Sequence, residues 1–322
     1  MERRIVFRGQ NEIALEAFEP PVAGPGEVRL RTLRTLISAG TEGIVLHRRF
    51  APDTHWDRWV RYPFFPGYCA VSVVEAVGPG VEGFAVGDRV ASRTGHASVA
   101  VVAADRAFAV PAGARTEDLP WFALAKIALV GARAAEFRLE DGVLIIGAGP
   151  IGQMALRWAL AAGTRAVALD PLAPRVEHSA RGGASATVAL PAAGAREAVI
   201  GALGEAPRVV IDTTGHPAVF AAALGLVADR GRVVVLGDAP APAEQRLTSD
   251  VITRGLTIVG AHDVHLPETA GSYAPFFDLL ARGRFPLGGL TTHVFRPEEF
   301  GKAYALVTTT GDAMGVAFDW TD

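Results

Sequence analysis

The stretch GVLIIGAGPIGQMALRWALAAG, which begins at Gly142, places a glycine-rich turn between an apolar strand pattern and a helical pattern. In this context Gly147 permits a tight turn, Gly149 lets the backbone approach a pyrophosphate, and Gly152 lets the helix pack closely on the strand. The start of the helix supplies free N–H groups and a partial positive charge to an anion. This order of strand, turn and helix predicts a dinucleotide-binding loop made of Gly147, Gly149, Pro150, Ile151 and Gly152.

An acidic residue ends the next predicted strand. Asp170 follows the strand pattern RAVAL. A carboxylate at this place accepts hydrogen bonds from the ribose hydroxyls of NAD and repels the 2′-phosphate of NADP. Arg175 is close enough in sequence to reach the same ribose, which would weaken that preference. The alternatives are a helix N-cap for Asp170 and a solvated helix face for Arg175. We expect NAD as the cofactor, with NADP less favoured.

The chain divides into two regions with different patterns of predicted strands and helices. From about residue 120 to 260, short apolar runs such as VVID and RVVVL alternate with helical patterns, which is typical of a parallel sheet covered by helices. Residues 1–110 hold short strand-like runs broken by glycine and proline, which predict a compact β-barrel. The interval 44–65 is aromatic and basic without a strand period, so we expect a functional loop or a short helix there. The predicted fold class is α/β, a β-barrel domain joined to a doubly wound parallel-sheet domain.

Composition excludes several classes of protein. The chain has 322 residues, a net charge of −3 and no run of basic residues, so nothing supports binding to nucleic acid or to an anionic membrane. The single cysteine, Cys69, cannot form an internal disulfide, and no stretch is apolar and long enough to cross a membrane. We expect a cytoplasmic protein in which Cys69 is a small buried side chain, because no basic residue adjoins it in sequence.

Several motifs resemble the medium-chain dehydrogenase/reductase family. VVEAVGPGVEGFAVGDRV is similar to the family's signature hairpin, GAGPIG, VVIDTTG and GRVVVLG to its nucleotide domain, and GLTTHVFRPEEFGKAYAL to its closing strand and helix. The resemblance covers almost the whole chain. It implies a GroES-like catalytic domain built from residues 1–126 and 261–322, a Rossmann domain at 127–260, an active site in the cleft between them, and a homodimer.

The resemblance also implies cofactor contacts beyond the glycine-rich loop. Val130 corresponds to a residue that touches the nicotinamide ring. Two arginines that many members direct at the pyrophosphate are replaced by Gly40 and Gly315, so the helix N-terminus would carry more of that binding. The other implied contacts are Thr213, Thr214, Leu236, Gly237, Thr257 and Val259.

The chain departs from the zinc-dependent members at each catalytic ligand position. Ser38 and Ala39 stand where those members carry a cysteine. Tyr68 replaces a histidine ligand, and Lys126 replaces a second cysteine. A tetrahedral zinc site needs thiolate or imidazole ligands, so we expect a zinc-free member without a metal, most similar to the subgroup that includes the bacteriochlorophyllide hydroxyethyl dehydrogenases. The alternative is a metal site rebuilt from His47, His96 and Cys69.

Without zinc, another group must handle the substrate oxygen and its proton. Lys126 lies in an apolar segment where an unpaired charge is costly, so it is a candidate to stabilise an oxyanion. Its alternatives are an ion pair with Glu42 or a route to the surface. Thr41 falls where relatives place a proton-relaying hydroxyl, with a β-turn as the alternative. The predicted catalytic set is Lys126, Thr41 and Tyr68, and the predicted substrate pocket contains His47, Trp56, Trp59 and His96. A local hydrophobic cluster is the alternative for the two tryptophans.

These features predict an NAD(H)-dependent, zinc-independent oxidoreductase that interconverts an alcohol and a carbonyl on a small organic substrate, with hydride transfer at nicotinamide C4. Two alternatives stay open. One is an enoyl- or quinone-type reductase of C=C bonds, whose relatives usually prefer NADPH, a preference that Asp170 disfavours. The other is a non-catalytic NAD(H)-binding protein, which the polar residues of the interval 41–68 disfavour.

Overall fold

The computed structural model describes residues 1–309 and 313–321. Its strands are β1 (Glu2–Gly9), β2 (Glu12–Phe18), β3 (Glu27–Leu36), β4 (Ala70–Val77), β5 (Arg89–Ser92), β6 (Val99–Ala103), β7 (Ala107–Ala109), β8 (Gly142–Ile146), β9 (Arg165–Leu169), β10 (Ala186–Val188), β11 (Val209–Asp212), β12 (Arg232–Val235), β13 (Thr257–Gly260), β14 (Thr291–Phe295) and β15 (Gly315–Asp319).

The helices are α1 (Ala39–His47), α2 (His55–Trp59), α3 (Phe122–Ala135), α4 (Pro150–Ala161), α5 (Ala173–Arg181), α6 (Arg196–Leu203), α7 (Pro217–Leu226), α8 (Asp250–Thr253), α9 (Ala270–Ala281) and α10 (Phe300–Thr309). Within the described part of the chain, none of them has the length and apolar character needed to cross a membrane.

Both ends of the chain build the first lobe. β14, β15, β3, β4, β5 and β7 follow one another in a seven-stranded sheet in which β6 also pairs with β3. β15 runs antiparallel to β3, with Ala317 opposite Leu36, so the last strand completes the sheet that the amino-terminal strands begin. Alternate side chains of β3, such as Val28 and Leu30, are buried inside the barrel. This lobe is the β-barrel domain that the sequence predicts.

The second lobe is a parallel sheet covered by helices. Its strand order is β10-β9-β8-β11-β12-β13, and every neighbouring pair is parallel. The chain winds outward from β8 in both directions, which opens a crevice at the carboxyl ends of β8 and β11. Leu144, Ile145, Val210 and Ile211 are completely buried, so both faces of the sheet are covered. The predicted α/β fold class is confirmed.

Helix α3 connects the two lobes. It runs without a break across residue 126, where the sequence predicts the boundary between domains. The helix packs on α4 and α9, and Trp158 of α4 donates from its indole nitrogen to the carbonyl of Ala125. Lys126 and Val130 lie about one turn apart on α3, so the predicted oxyanion group and the predicted nicotinamide contact share one helix face.

The aromatic, basic interval 44–65 contains helical structure. Of the two predictions for it, a functional loop or a short helix, the structure agrees with the helix. α1 extends into its first part and α2 lies in its middle. Thr41 lies in the first turn of α1, so the β-turn alternative for this residue is wrong. Ser38 immediately precedes the same helix. The hydroxyls of Ser38 and Thr41 therefore belong to the amino end of α1.

Candidate active site

The glycine-rich turn is shaped to admit a pyrophosphate. Gly147 has a φ of +88°, a conformation that other residues rarely adopt. A Cβ on Gly152 would lie 1.8 Å from the carbonyl oxygen of Gly147, so only glycine lets α4 start this close to β8. Thr213 donates from its hydroxyl to the carbonyl of Ile146 at 2.9 Å and supports the turn from β11, and Thr214 follows it at the same edge. The turn and the start of α4 together fit a dinucleotide phosphate.

Asp170 lies at the carboxyl end of β9, beside this turn. Its carboxylate accepts hydrogen bonds from the backbone N–H groups of Ala148 and Leu172, each at 2.9 Å. Arg175 Nη1 is 3.8 Å from the same carboxylate. The bond to Leu172 resembles the capping role that the sequence leaves open for Asp170. The side chain nevertheless stays next to the phosphate turn, where the ribose contact is predicted.

Most of the predicted nicotinamide contacts gather at the carboxyl edge of the sheet. Leu236 and Gly237 directly follow β12, and a Cβ on Gly131 would lie 2.8 Å from Leu236, so α3 packs tightly on this edge. Val259 lies one residue before the end of β13. Thr257 begins β13 and is paired with the first residue of β12, about 10 Å from the carboxyl edge. The prediction of Thr257 as a nicotinamide contact is therefore wrong.

Hydroxyl and ammonium groups occupy the positions at which the family resemblance implies zinc ligands in zinc-dependent members. The hydroxyls of Ser38 and Tyr68 are 2.5 Å apart, and the hydroxyl of Thr41 is 3.4 Å from that of Tyr68. Lys126 is 2% exposed, and its ammonium is bonded to protein oxygens. None of these groups is a thiolate or an imidazole, and an ammonium repels a cation. This donor set does not fit a tetrahedral zinc ion.

The alternative metal site is not formed. His47 lies at the end of α1, where its Nδ1 is 2.6 Å from Asn11 in the β1–β2 turn. His96 bonds to other residues in the barrel, and Cys69 is completely buried with the pKa of its thiol raised by burial. Across residues 1–309 and 313–321, no group of three or more His, Cys, Asp or Glu is arranged to hold a metal ion. The prediction of Cys69 as a small buried side chain is confirmed.

A buried ion cluster lies next to the three hydroxyls. Lys126 Nζ donates to the carboxylate of Asp263 at 2.8 Å and to its backbone carbonyl at 2.9 Å. The second carboxylate oxygen accepts a hydrogen bond from Arg93 at 2.5 Å. Burial opposes the ionisation of Asp263, but the charges of Arg93 and Lys126 hold the pKa of its carboxyl below the ordinary value. The ion-pair partner of Lys126 is therefore Asp263 and not Glu42.

Arg93 links this cluster to Tyr68. Its guanidinium carbon is 4.8 Å from the centre of the Tyr68 ring, which is cation–π geometry, and Glu268 lies 3.4 Å from its Nη1. Burial raises the pKa of Tyr68 above its ordinary value, while the hydrogen bonds with Ser38 and Thr41 and the charge of Arg93 act in the opposite direction. Tyr68 is therefore a neutral phenol near pH 7, held beside a fixed cation.

His96 belongs to a separate cluster inside the barrel. It is 1% exposed, with Nδ1 2.7 Å from the hydroxyl of Thr35 and Nε2 3.1 Å from the carboxylate of Glu42. The hydroxyl of Tyr304 donates to the same carboxylate at 2.6 Å. The buried carboxylate needs such partners, and His96 supplies one of them. The prediction of His96 as a pocket residue is therefore wrong.

The remaining predicted pocket residues fall into different environments. His47 supports the β1–β2 turn and is not placed as a pocket wall. Trp56 is buried in the barrel core, so its alternative as part of a local hydrophobic cluster is correct. Trp59 is 51% exposed and packs edge-on against Phe64 with ring centres 5.2 Å apart. Of the two tryptophans, Trp59 is the one that offers an open face.

His55 joins the two lobes instead. Its Nε2 is 2.8 Å from the carboxylate of Asp238, which follows β12. Nearby in sequence, the N–H of Ala51 donates to the carbonyl of Pro240 at 2.8 Å, and His262 approaches Asp238 at 3.8 Å. The segment between α1 and α2 therefore contacts the nucleotide lobe close to Leu236 and Gly237.

Arg93 and Asp263 complete the site, and no sequence motif singles them out. Arg93 follows β5, and Asp263 lies in the AHDVH segment after β13. The signal that could have found Asp263 is Lys126, one of two lysines in the chain. A buried ammonium needs a carboxylate partner, and an acidic residue just after the last parallel strand lies at the cofactor edge of the sheet.

Comparisons with known proteins agree with this architecture. A family model described as "Alcohol dehydrogenase GroES-like domain" matches residues 24–118, and one described as "Zinc-binding dehydrogenase" matches residues 150–281. The L-threonine 3-dehydrogenase of Bacillus subtilis (strain 168) is 29% identical over 79% of this chain and 84% of its own.

Solved structures share the fold over nearly the whole chain. A short chain alcohol dehydrogenase from E. coli CFT073, complexed with cofactor NADH, has a TM-score of 0.85 at 21% identity and covers 99% of both chains. The 2R,3R-butanediol dehydrogenase from Bacillus subtilis has a TM-score of 0.81 at 18% identity, again over 99% of both chains. The chain belongs to the medium-chain dehydrogenase/reductase family and is an enzyme of its alcohol dehydrogenase class.

We expect Gly152→Ala to disrupt the phosphate turn. The added Cβ would overlap the carbonyl oxygen of Gly147, so α4 must shift, which lowers the free energy of unfolding by about 1–3 kcal/mol and weakens NADH binding at least roughly tenfold. Gly201→Ala is the matched control, because it lies in α6 with no atom within 4 Å of its Cβ. Urea denaturation and NADH fluorescence titration measure both effects. Wild-type NADH affinity in Gly152→Ala would contradict the assignment of the turn.

Proposed function

We propose that this enzyme interconverts a secondary alcohol and a ketone with NAD(H) and without zinc. The observation that supports the proposal is the replacement of the zinc ligands. Three hydroxyls and one buried ammonium occupy that place, beside a turn that fits a dinucleotide. When bound, NADH supplies a hydride from C4 of its nicotinamide ring, and NAD⁺ accepts one in the reverse direction.

The chain's own residues account for cofactor binding. The turn from Gly147 to Gly152 and the start of α4 hold the pyrophosphate, and Asp170 accepts hydrogen bonds from the ribose hydroxyls. Leu236, Val259 and Val130 surround the nicotinamide. Arg175 Nη1 lies 3.8 Å from the Asp170 carboxylate, so it would reach the same ribose and would weaken the preference for NAD over NADP.

Lys126, Thr41 and Tyr68 handle the substrate oxygen. Two of the three N–H donors of the Lys126 ammonium bind Asp263, which fixes the group and leaves one donor for a developing oxyanion. Thr41 and Tyr68 are hydroxyl partners that can move the proton. Water exclusion by the buried cluster strengthens these interactions relative to solution.

The relatives suggest a small substrate with a polar group next to the reacting carbon. L-threonine 3-dehydrogenase and 2R,3R-butanediol dehydrogenase are named for secondary alcohols that carry an amino or a hydroxyl group on the neighbouring carbon. We propose the same class of substrate here, because Arg93, which lies over the Tyr68 ring, and Glu268 line one cavity as polar groups.

The test is metal analysis combined with turnover of a substrate panel. Purified protein should contain no stoichiometric zinc, and added chelator should leave turnover unchanged. L-threonine and 2R,3R-butanediol with NAD⁺, and 3-hydroxybutan-2-one with NADH, represent the alcohol–ketone class, and cyclic enones with NADPH represent C=C reduction. One zinc per chain would overturn the metal-free chemistry. Turnover of enones alone would favour the reductase alternative, and NADH binding without any turnover would favour a non-catalytic protein.

We expect Lys126→Met to lower kcat about 100-fold while NADH affinity stays within about twofold. Methionine removes the donor to the substrate oxygen, and Asp263 keeps Arg93 as its partner, so the fold is retained. Lys302→Met is the matched control, since Lys302 is exposed and pairs only on the surface with Glu299. Steady-state kinetics with NADH titration check the prediction. Unchanged kcat in Lys126→Met would dismiss this role.

We expect Asp170→Asn to reduce the preference for NADH over NADPH by roughly tenfold or more. The substitution removes the negative charge that repels a 2′-phosphate, while the positive charge of Arg175 nearby stays in place. The ratio of the two dissociation constants, measured by fluorescence titration, is the readout. Asp229→Asn, at an exposed ion pair with Arg254, is the control. An unchanged ratio would show that Asp170 serves the turn alone.

A further inference from the structure

We propose that Tyr68 is the group that gives the proton to the substrate oxygen and takes it back. In this proposal Ser38 is the second hydroxyl at that oxygen, and Arg93 is the fixed cation that favours charge on Tyr68. The proposal rests on the proposed alcohol–ketone chemistry and assigns its proton transfer to named groups. It adds Ser38 and Arg93 to the reaction.

The first observation is a line of hydroxyls at the amino end of α1. Tyr68 Oη lies 2.5 Å from Ser38 Oγ and 3.4 Å from Thr41 Oγ1. A hydroxyl both donates and accepts, so such a line can pass a proton in either direction. Ser38 is buried, whereas Thr41 is partly exposed. Thr41 is therefore the end of the line that exchanges protons with solvent.

The second observation is the position of the charge. Arg93 stacks on the Tyr68 ring at 4.8 Å and is held there by Asp263 at 2.5 Å and Glu268 at 3.4 Å. A cation over the ring stabilises the phenolate more than the phenol. Lys126 reaches Asp263 from the other side, so it contacts this cluster without contacting Tyr68. The guanidinium, and not the ammonium, is the cation that acts directly on the phenol.

The two cations then have separate tasks in ketone reduction. As hydride reaches the carbonyl carbon, the π electrons of the C=O bond move to oxygen, where Lys126 and Ser38 stabilise the developing charge. The O–H bond of Tyr68 breaks, and its proton forms the O–H bond of the alcohol. Tyr68 regains a proton from solvent through Thr41. One ketone, one hydride and one proton become one alcohol, so atoms and charge balance.

The surroundings of Tyr68 set the pH dependence. Burial and the adjacent Cys69 thiol raise the pKa of Tyr68, whereas Ser38, Thr41 and Arg93 oppose the rise, and the net result is an elevated value. Besides Arg93, the charged groups nearby are Asp263, Glu268 and Lys126, which Arg93 and Asp263 link into ion pairs, and Glu42, whose carboxylate accepts the backbone N–H of Ser38. A raised pKa keeps the phenol protonated. Reduction therefore keeps its proton donor through neutral pH, and alcohol oxidation, which needs the phenolate, gains rate as pH rises.

The kinetic experiment uses the ketone of the panel that wild type reduces fastest. We expect Tyr68→Phe to lower kcat at least about 100-fold and Ser38→Ala about tenfold, with NADH affinity within about twofold of wild type. Tyr62→Phe and Ser72→Ala are matched controls. The Tyr62 hydroxyl donates to the backbone of Val45, and Ser72 lies buried in β4. Tyr68→Phe with kcat within threefold of wild type would overturn the proposal.

The role of Arg93 is tested by the pH profile of alcohol oxidation. Arg93→Met removes an influence that lowers the pKa of Tyr68, so the rising limb of kcat should move to higher pH, and Arg93→Lys should restore part of the shift. A merely structural role would lower activity at every pH without moving the limb. An unmoved limb in Arg93→Met would overturn the assignment of the cation.

A spectroscopic readout separates this inference from the proposed function. The chain has four tyrosines, so ¹³Cζ-tyrosine labelling gives few NMR signals, and Tyr68→Phe identifies the one from Tyr68. We expect that signal to shift in Arg93→Met and Ser38→Ala, and not in Arg89→Met, whose guanidinium contacts Thr116 instead. If wild type turns over no alcohol or ketone, the proposed function fails, but the NMR measurement still tests whether Arg93 and Ser38 act on the Tyr68 phenol. An unmoved Tyr68 signal in both variants would overturn that interaction.

Discussion

The buried ammonium of Lys126 is the constraint on which the site depends. An isolated charge inside a protein is strongly unfavourable, so it must be paired and hydrogen-bonded. Asp263 meets this requirement with both its carboxylate and its carbonyl, and the same carboxylate holds Arg93. One carboxylate thereby joins α3, the segment after β13 and the end of β5. The same link holds Arg93 at its position over the Tyr68 ring.

A site built from fixed side chains is stabilised differently from a zinc site. Zinc brings its own charge and draws its ligands together, whereas hydroxyls and cations need an external framework. Here the framework is Asp263 with Glu268 around Arg93, and Ser38 with Thr41 around Tyr68. The clustered charges nearly cancel, so the pocket stays low in net charge while individual groups remain strongly oriented. Preorganised groups of this kind are effective because they need little rearrangement during the reaction.

Local patterns predicted more of the nucleotide lobe than of the barrel lobe. The apolar strands and the glycine turn depend on neighbours close in sequence, and the structure forms both, with Asp170 beside the turn. Thr257 failed because a strand has two ends, and only pairing with β12 shows which end faces the cofactor. His96 and Trp56 failed because polarity or aromaticity alone does not reveal whether a side chain faces a cleft or a core. His55 contacts Asp238 at the junction of the lobes.

The sequence by itself determined the fold class and the glycine-rich turn, and it places hydroxyl and ammonium side chains at Ser38, Tyr68 and Lys126. Each of these depends on residue types within a short window or on a known motif frame. Only the tertiary structure decided that Asp263 pairs with Lys126 and that Arg93 lies over Tyr68. Lys126 and Asp263 are more than a hundred positions apart in the sequence. Arg93 and Tyr68 lie near the ends of two different strands. Such pairings are fixed by tertiary packing between segments that are distant in sequence, and that packing leaves no local pattern in the chain.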